Sequence, residues 1–390
     1  MTDSPSFLAP VTISDYRELA RRRLPRQLFD YLDGGAYDEL TLKENVKAFR
    51  NARLRQRVMV DVSKIDTSTE LFGQKMAMPL ILAPVGLAGM MRKRAEVQAA
   101  KAAEAHNLPF TLSTVGICPM EEIRAHTKAP FWFQLYLMKD RGFAKSVLDR
   151  AKEAGVPVLV FTVDLAVVGA RYRDPRNGMM VADLPLHKKL WAGLQYPLHT
   201  RWLFDVALGG RPLSFGNLKG ALDGGAGLAE FRQWIDSQFD PTVTWRSLEW
   251  VRQNWSGPIV LKGILDPEDA RAAVSSIGAD GIVVSNHGGR QLDGVEPTLH
   301  ALPRIRDAVG GRTKILVDGG IRNGLDVVKA VASGADAGLI GRAWVFPVAA
   351  RGQKGVEAVL TNFKKEMKVA MALTGVTRVS DIDRGCLLSK

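Results

Sequence analysis

The chain has 390 residues, 46% hydrophobic and 24% charged, with a formal net charge of +12. Those shares fit a globular protein with a large buried core and exclude a disordered chain, while length alone leaves one to three domains open. The basic excess suits anionic lipid or acidic substrates; with no long Lys/Arg run and no zinc or RNA-binding pattern, nucleic acid is not an expected partner.

The start of the chain, Met1-Thr2-Asp3-Ser4-Pro5, lacks the charged and apolar regions of a secretory signal. After an N-terminal segment, short apolar runs alternate with amphipathic stretches. The first strand candidates are Pro79 to Ala83, Phe110 to Ser113, Phe131 to Leu135 and Val158 to Val163. Four more follow at Ile259 to Lys262, Gly281 to Ser285, Lys314 to Asp318 and Ala337 to Gly341. Helical patterns lie between them at Arg94 to Ala105, Gly142 to Ala154, Asp266 to Ile277 and Gly324 to Ser333. Asp266 reads as a helix cap and Pro267 as a first helical residue.

Eight βα units predict a (β/α)8 TIM barrel with an N-terminal helical segment, and a doubly wound sheet is the alternative. The polar residues favour the barrel. Gln134, Tyr136, Thr162, Asp164, Lys262, Ser285, His287 and Asp318 all fall at or just past strand C-termini, which a barrel gathers on one face. The βα rhythm breaks once, across a long insertion at about 173–244 after the fourth strand, a segment containing Trp191, Tyr196, Trp202 and Phe204. The longest apolar run, Met78 to Met91, holds glycines and prolines and is too short to span a bilayer. Cys118 and Cys386 are far apart, which excludes a disulfide framework and suggests a reducing compartment.

The chemistry concentrates in Ser285-Asn286-His287-Gly288-Gly289-Arg290-Gln291. The glycines let the backbone turn sharply, so a base (His287) and a permanent cation (Arg290) can face one small acid. Asp318-Gly319-Gly320-Ile321-Arg322 follows the seventh strand and Gly341-Arg342 the eighth, the two loops that commonly bind phosphate in barrels. Lys262 either reaches solvent or neutralises an anionic cofactor ring. Asp164 is either a loop cap or the partner that orients His287. The remaining histidines have no metal-ligand spacing, and no metal is expected.

These residues resemble the FMN-dependent L-2-hydroxy acid dehydrogenase/oxidase family, nearly end to end. The likeness is carried by Phe29-Asp30-Tyr31, Ala83-Pro84-Val85-Gly86, Thr111-Leu112-Ser113-Thr114, Phe133-Gln134-Leu135-Tyr136, Thr162-Val163-Asp164, Lys262-Gly263, the His287 heptad and Asp318-Gly319-Gly320. Within it, the runs Gly169-Ala170-Arg171-Tyr172-Arg173-Asp174 and Lys262 to Ala270 most resemble the bacterial quinone-linked L-lactate dehydrogenases.

The resemblance implies a single FMN hydroxy acid dehydrogenase domain over residues 1–390, with FMN as cofactor. It makes His287 the catalytic base with Asp164 behind it, and places Tyr31, Tyr136, Arg171 and Arg290 on the substrate. Ala83, Pro84, Val85, Gly86, Ser113, Gln134, Thr162, Lys262 and Ser285 would contact the flavin. Asp318, Gly319, Gly320, Arg322, Gly341 and Arg342 would complete its site around the phosphate. The implied reaction is oxidation of L-lactate to pyruvate, with electrons passed to a quinone or other respiratory acceptor. Val115, where glycolate oxidase has tryptophan, and Gly86, where oxidases tend to carry alanine, favour that reading over an oxygen-using oxidase. The insertion, with Leu184 to Trp191 mixing apolar and basic residues, is either a lid or a peripheral contact with an anionic membrane surface. Relatives suggest a homotetramer, located in the cytoplasm or on the cytoplasmic side of the inner membrane.

Overall fold

The computed structural model describes residues 8–179, 185–219, 237–238 and 240–388. All eight expected strands form. A short antiparallel hairpin, β1 (Thr69–Leu71) and β2 (Gln74–Met76), precedes them. The eight are β3 (Leu80–Leu82), β4 (Thr111–Ser113), β5 (Trp132–Leu135), β6 (Leu159–Thr162), β7 (Ile259–Ile264), β8 (Gly281–Val284), β9 (Lys314–Val317) and β10 (Ala337–Ile340). They pair in parallel in the order β3-β10-β9-β8-β7-β6-β5-β4. A parallel bridge between Leu82 and Phe110 joins the two ends of that order, so the sheet closes into a (β/α)8 barrel.

The apolar runs of the sequence follow from closure, because each strand is buried on both faces. Ile81, Val160, Val260, Val283, Leu316 and Leu339 pack into an inner core with Trp132 and with Leu71 and Met76 of the hairpin. Phe72 at the hairpin turn meets Trp132 edge-on at 5.7 Å, and the Trp132 indole donates to Gln74 at 3.0 Å. The hairpin therefore plugs the N-terminal mouth. Helices such as Ala95–Ala105, Arg141–Glu153, Pro267–Ile277 and Gly324–Ala332 cover the outside. Asp266 caps its helix by accepting from Glu268 N at 2.7 Å, as its position in the sequence predicts.

Three N-terminal helices, α1 (Ile13–Arg23), α2 (Arg26–Asp33) and α3 (Leu40–Asn51), complete the mouth. The described part of the insertion is largely helical, with a short turn at Arg173–Arg176 and a helix at Leu186–Leu198. Leu184 lies outside the described residues.

One backbone position ties the barrel wall to the site. Gly263 has φ +113° where the β7–β8 register shifts, and a Cβ there would lie 2.5 Å from the Asp164 carboxyl carbon. Gly263→Ala should cost about 1–3 kcal/mol through strain and displaced packing. A thermal midpoint equal to that of the wild type would contradict this.

Candidate active site

β8 ends at Val284, and the chain then turns back over the barrel mouth. His287, Gly288 and Gly289 have φ values of 57°, 64° and 73°, three left-handed residues in succession. A histidine in that region costs of order 1 kcal/mol and persists only where its surroundings hold it. Here the Ser285 hydroxyl accepts from His287 N at 3.0 Å, and Asn286 Oδ1 accepts from Gly289 N at 3.2 Å. Asn286 also exchanges reciprocal amide bonds with Asn45 of α3, at 2.8 and 3.0 Å.

The turn aims His287 at Asp164, whose Oδ1 lies 2.9 Å from Nδ1. A carboxylate only accepts, so Nδ1 carries the proton and the Nε2 lone pair stays free. Burial opposes the Asp164 charge, but His287 and Lys262 outweigh it and hold its carboxyl below the usual range. Burial pulls the His287 pKa below its ordinary value; Asp164 pulls it up, while Lys262 and Arg171 push it down. Neutral imidazole with a free Nε2 is the form a base needs.

Lys262 does not reach solvent. Its Nζ donates to Ser285 Oγ at 3.0 Å and pairs with Asp318 at 3.1 Å. Burial disfavours its charge, but Asp318 and Asp164 overcome that and hold its pKa above the usual lysine value. The other cations of the cavity lack such partners. Arg171, Arg290, Arg322 and Arg342 all line it, and none is ion-paired with a carboxylate among the described residues. Arg342 instead donates to the backbone oxygens of Leu32, Gly34 and Gly288, and Arg290 to those of Tyr31 and Gly34. Burial and the neighbouring Arg290 bring Arg171 down to about 10, and burial brings Arg342 well below the usual arginine value.

The Tyr31 ring lies under two of these arginines, 4.8 Å from Arg290 and 5.9 Å from Arg171. Burial, Asp164 and Tyr31 push the Tyr136 pKa up, so its hydroxyl remains a donor.

Sixteen of the expected residues line this one cavity: Tyr31, Ala83, Pro84, Val85, Gly86, Tyr136, Arg171, Lys262, His287, Arg290, Asp318, Gly319, Gly320, Arg322, Gly341 and Arg342. Five others do not. Asp164 stands behind His287, and Ser285 links Lys262 to the His287 backbone. Ser113 donates to Gln134 Oε1 at 3.1 Å, and both are buried at strand ends. Thr162 is buried and faces a separate cavity beside β6 and β7. Leu42, Asn45, Leu165 and Val168 also line the site and were not anticipated. Their chemistry is ordinary, and only the fold brings them there.

FMN suits this cavity on two counts. Partly buried cations without counter-charges favour an anion, and a phosphate monoester together with a substrate carboxylate supplies two. Gln134 Nε2 is a buried donor with no hydrogen-bond partner among the described residues, as a flavin-edge acceptor would require. Among those residues no group of three or more His, Cys, Asp or Glu is placed to hold a metal ion.

Comparison with known proteins agrees. A family model described as FMN-dependent dehydrogenase matches residues 20–389. The chain is 54% identical to an L-lactate dehydrogenase of Actinobacillus pleuropneumoniae, covering 96% of this chain and 97% of the relative. It is 55% identical to one of Xanthomonas euvesicatoria, covering 96% and 95%. Among solved structures, the monotopic membrane protein (S)-mandelate dehydrogenase superposes with a TM-score of 0.91 at 34% identity, covering 98% of this chain and all of that one.

The unpaired arginines give a direct test. FMN at about 100 times its Kd should stabilise the flavin-free protein by about 2.7 kcal/mol. Riboflavin, which lacks the phosphate, should shift the thermal midpoint less, and equal shifts would remove Arg322 and Arg342 from the phosphate site.

Proposed function

The chain belongs to the FMN-dependent dehydrogenase family, and on that premise we propose that it oxidises L-lactate to pyruvate. The assignment rests on one arrangement: a neutral His287 hydrogen-bonded to an ionised Asp164, facing two arginines that lack carboxylate partners among the described residues. Arg171 and Arg290 take the substrate carboxylate, with Tyr31 packed beneath them and Tyr136 donating to the substrate. His287 Nε2 receives the proton that leaves the substrate, whether from the α-carbon or from the hydroxyl. Asp164 then stabilises the imidazolium. When bound, FMN supplies the two-electron acceptor that a side chain cannot. Lys262, held by Asp318 near the end of β7, would supply a fixed positive charge beside the flavin. Val115 and Gly86 both line the cavity, and an aliphatic side chain at 115 is compatible with a small substrate.

The relatives reported above are named dehydrogenases, and an oxygen-using oxidase is not favoured. We take the acceptor to be a quinone or another respiratory carrier met at the cytoplasmic side of an anionic membrane. The insertion supports the membrane contact. Leu186, Leu190, Leu194 and Leu198 are 73%, 63%, 65% and 81% exposed and recur every fourth residue on one helix. That spacing makes an apolar stripe with Lys188 close by, a form that lies on a bilayer surface rather than crossing it. Among the described residues no helix is long and apolar enough to cross a membrane. On the resemblance alone, the assembly is a homotetramer.

Anaerobic L-lactate should bleach the bound flavin faster than glycolate or mandelate does. His287→Gln should keep its FMN and lose turnover by about 10²–10⁴-fold; normal turnover in that variant would remove His287 from the mechanism. Because the base form is neutral imidazole, kcat/KM should stay level through neutral pH. It should fall only as pH drops through a pKa below the free-histidine value of about 6.5.

Vesicles of anionic lipid should co-sediment the protein at low salt, and Leu190→Glu with Leu194→Glu should release it. A protein that stays in the supernatant would overturn the membrane contact.

A further inference from the structure

Arg171 stands on a loop without regular secondary structure, between the end of β6 and the helical turn at Arg173–Arg176. Its own hydrogen bonding is slight: Nε approaches the Arg290 carbonyl at 3.4 Å. A carboxylate ligand carried on such a loop must be positioned by something else. Two residues on, Arg173 is held far more firmly. Its Nη1 donates to Asp33 at 2.8 Å and its Nη2 to Glu39 at 2.5 Å, with Asp30 at 3.8 Å. Asp33 is buried at the end of α2 and is gripped from its other side by Arg17 of α1, at 2.6 and 2.7 Å. Glu39 holds the next turn by accepting from Gly35 N at 3.0 Å.

The same α2 segment carries Tyr31 and accepts from Arg290 through Tyr31 O and Gly34 O. Tyr37 N donates to Ala170 O at 2.8 Å, which fixes the loop backbone next to Arg171. We infer that Arg173 is a positioning residue: through Asp33 and Glu39 it clamps the Arg171 loop onto α2, setting the Arg171 guanidinium at the spacing from Arg290 and Tyr31 that a substrate carboxylate requires.

Removing the clamp does more than loosen a loop. It leaves Asp30, Asp33 and Glu39 grouped at the C-terminal end of α2, where the helix dipole already disfavours negative charge. The loop then withdraws while the elements beneath it stay, since Lys262, Asp318 and His287 are anchored from β7, β9 and β8. The effect falls first on carboxylate capture, because Arg171 rides on the clamped loop itself.

This inference rests on Arg171 holding the carboxylate, so that premise is measured alongside it. The holoenzymes of wild type, Arg171→Met, Arg173→Met, Arg173→Lys and Glu39→Gln are compared by KM for L-lactate, by maximal rate of flavin reduction, and by the Kd of oxalate read from the flavin absorption spectrum. Arg173→Met should raise both KM and the oxalate Kd at least tenfold, with the maximal rate within threefold of wild type and flavin content unchanged. Arg173→Lys should recover part of the loss. Glu39→Gln, the milder variant if Arg173→Met folds poorly, should show the same split with a smaller amplitude.

If Arg171→Met leaves oxalate binding intact, the carboxylate assignment fails. If Arg171→Met weakens oxalate binding but Arg173→Met and Glu39→Gln do not, the clamp fails. Parallel loss of maximal rate, flavin and oxalate affinity in both clamp variants would mark a general structural role and would also overturn it.

Discussion

The site depends on one electrostatic constraint, the crowding of several like charges, one buried and four partly buried, at a single barrel mouth. Arg171, Arg290, Arg322 and Arg342 share a cavity with Lys262, and only Lys262 has a carboxylate partner among the described residues. Each of these charges is costly to remove from water, and each raises the cost of its neighbours. The fold offsets this with backbone dipoles. The oxygens at the C-terminal end of α2, the negative end of a helix, receive Arg290 and Arg342. Carbonyls stabilise a guanidinium without neutralising it, so the cavity retains its appetite for anions. A neutral pocket of the same shape would bind a flavin ring but could not draw a phosphate and a carboxylate into fixed positions.

That arrangement explains why the N-terminal helices belong to the active site. A barrel alone supplies strand ends, and those place Lys262, Ser285 and Asp318. Tyr31, the acceptors for two arginines, and the amide of Asn45 that steadies Asn286 all come from α2 and α3. The left-handed turn at His287 is held in part by Asn286, which is itself steadied from outside the barrel. Strain at the base is thus balanced by a contact with a segment more than two hundred residues away in sequence.

Much of this was legible in the sequence, for a physical reason. Strands buried on both faces must be apolar throughout, so Ile259-Val260-Leu261 and Gly281-Ile282-Val283-Val284 announce themselves. A polar residue at the end of such a run has little reason to be there except at a barrel mouth, which is why Lys262 and Asp318 stood out. The β1–β2 hairpin was not legible. Thr69-Glu70-Leu71 and Gln74-Lys75-Met76 are too short and too polar to suggest that they plug a barrel, and their role exists only through Trp132 and Phe72. Ser113, Gln134 and Thr162 are buried at strand ends, and Gln134 Nε2 is left there without a hydrogen-bond partner among the described residues. Strand position fixes which end of the barrel a residue occupies but not how deep its side chain lies. Arg173 lay inside a recognised run, yet its role depends on Asp33 and Glu39, partners that no spacing rule connects to it.

His287 shows how opposed charges yield a usable base. Asp164 alone would raise its pKa and leave it protonated, and burial alone would lower it until the imidazolium became too unstable to form. Both act here, with Lys262 and Arg171 adding to the depression. The resting imidazole stays neutral with Nε2 free. When it takes a proton, the charge appears beside an ionised carboxylate already hydrogen-bonded to the opposite nitrogen. Little needs to reorganise at that moment, since Asp164 is fixed against Gly263 and the His287 backbone against Ser285. On the proposed assignment, a substrate carboxylate held by Arg171 and Arg290 would also cancel part of the positive field that depresses His287. Substrate binding should therefore strengthen the base as it delivers the proton, coupling recognition to reaction through charge alone.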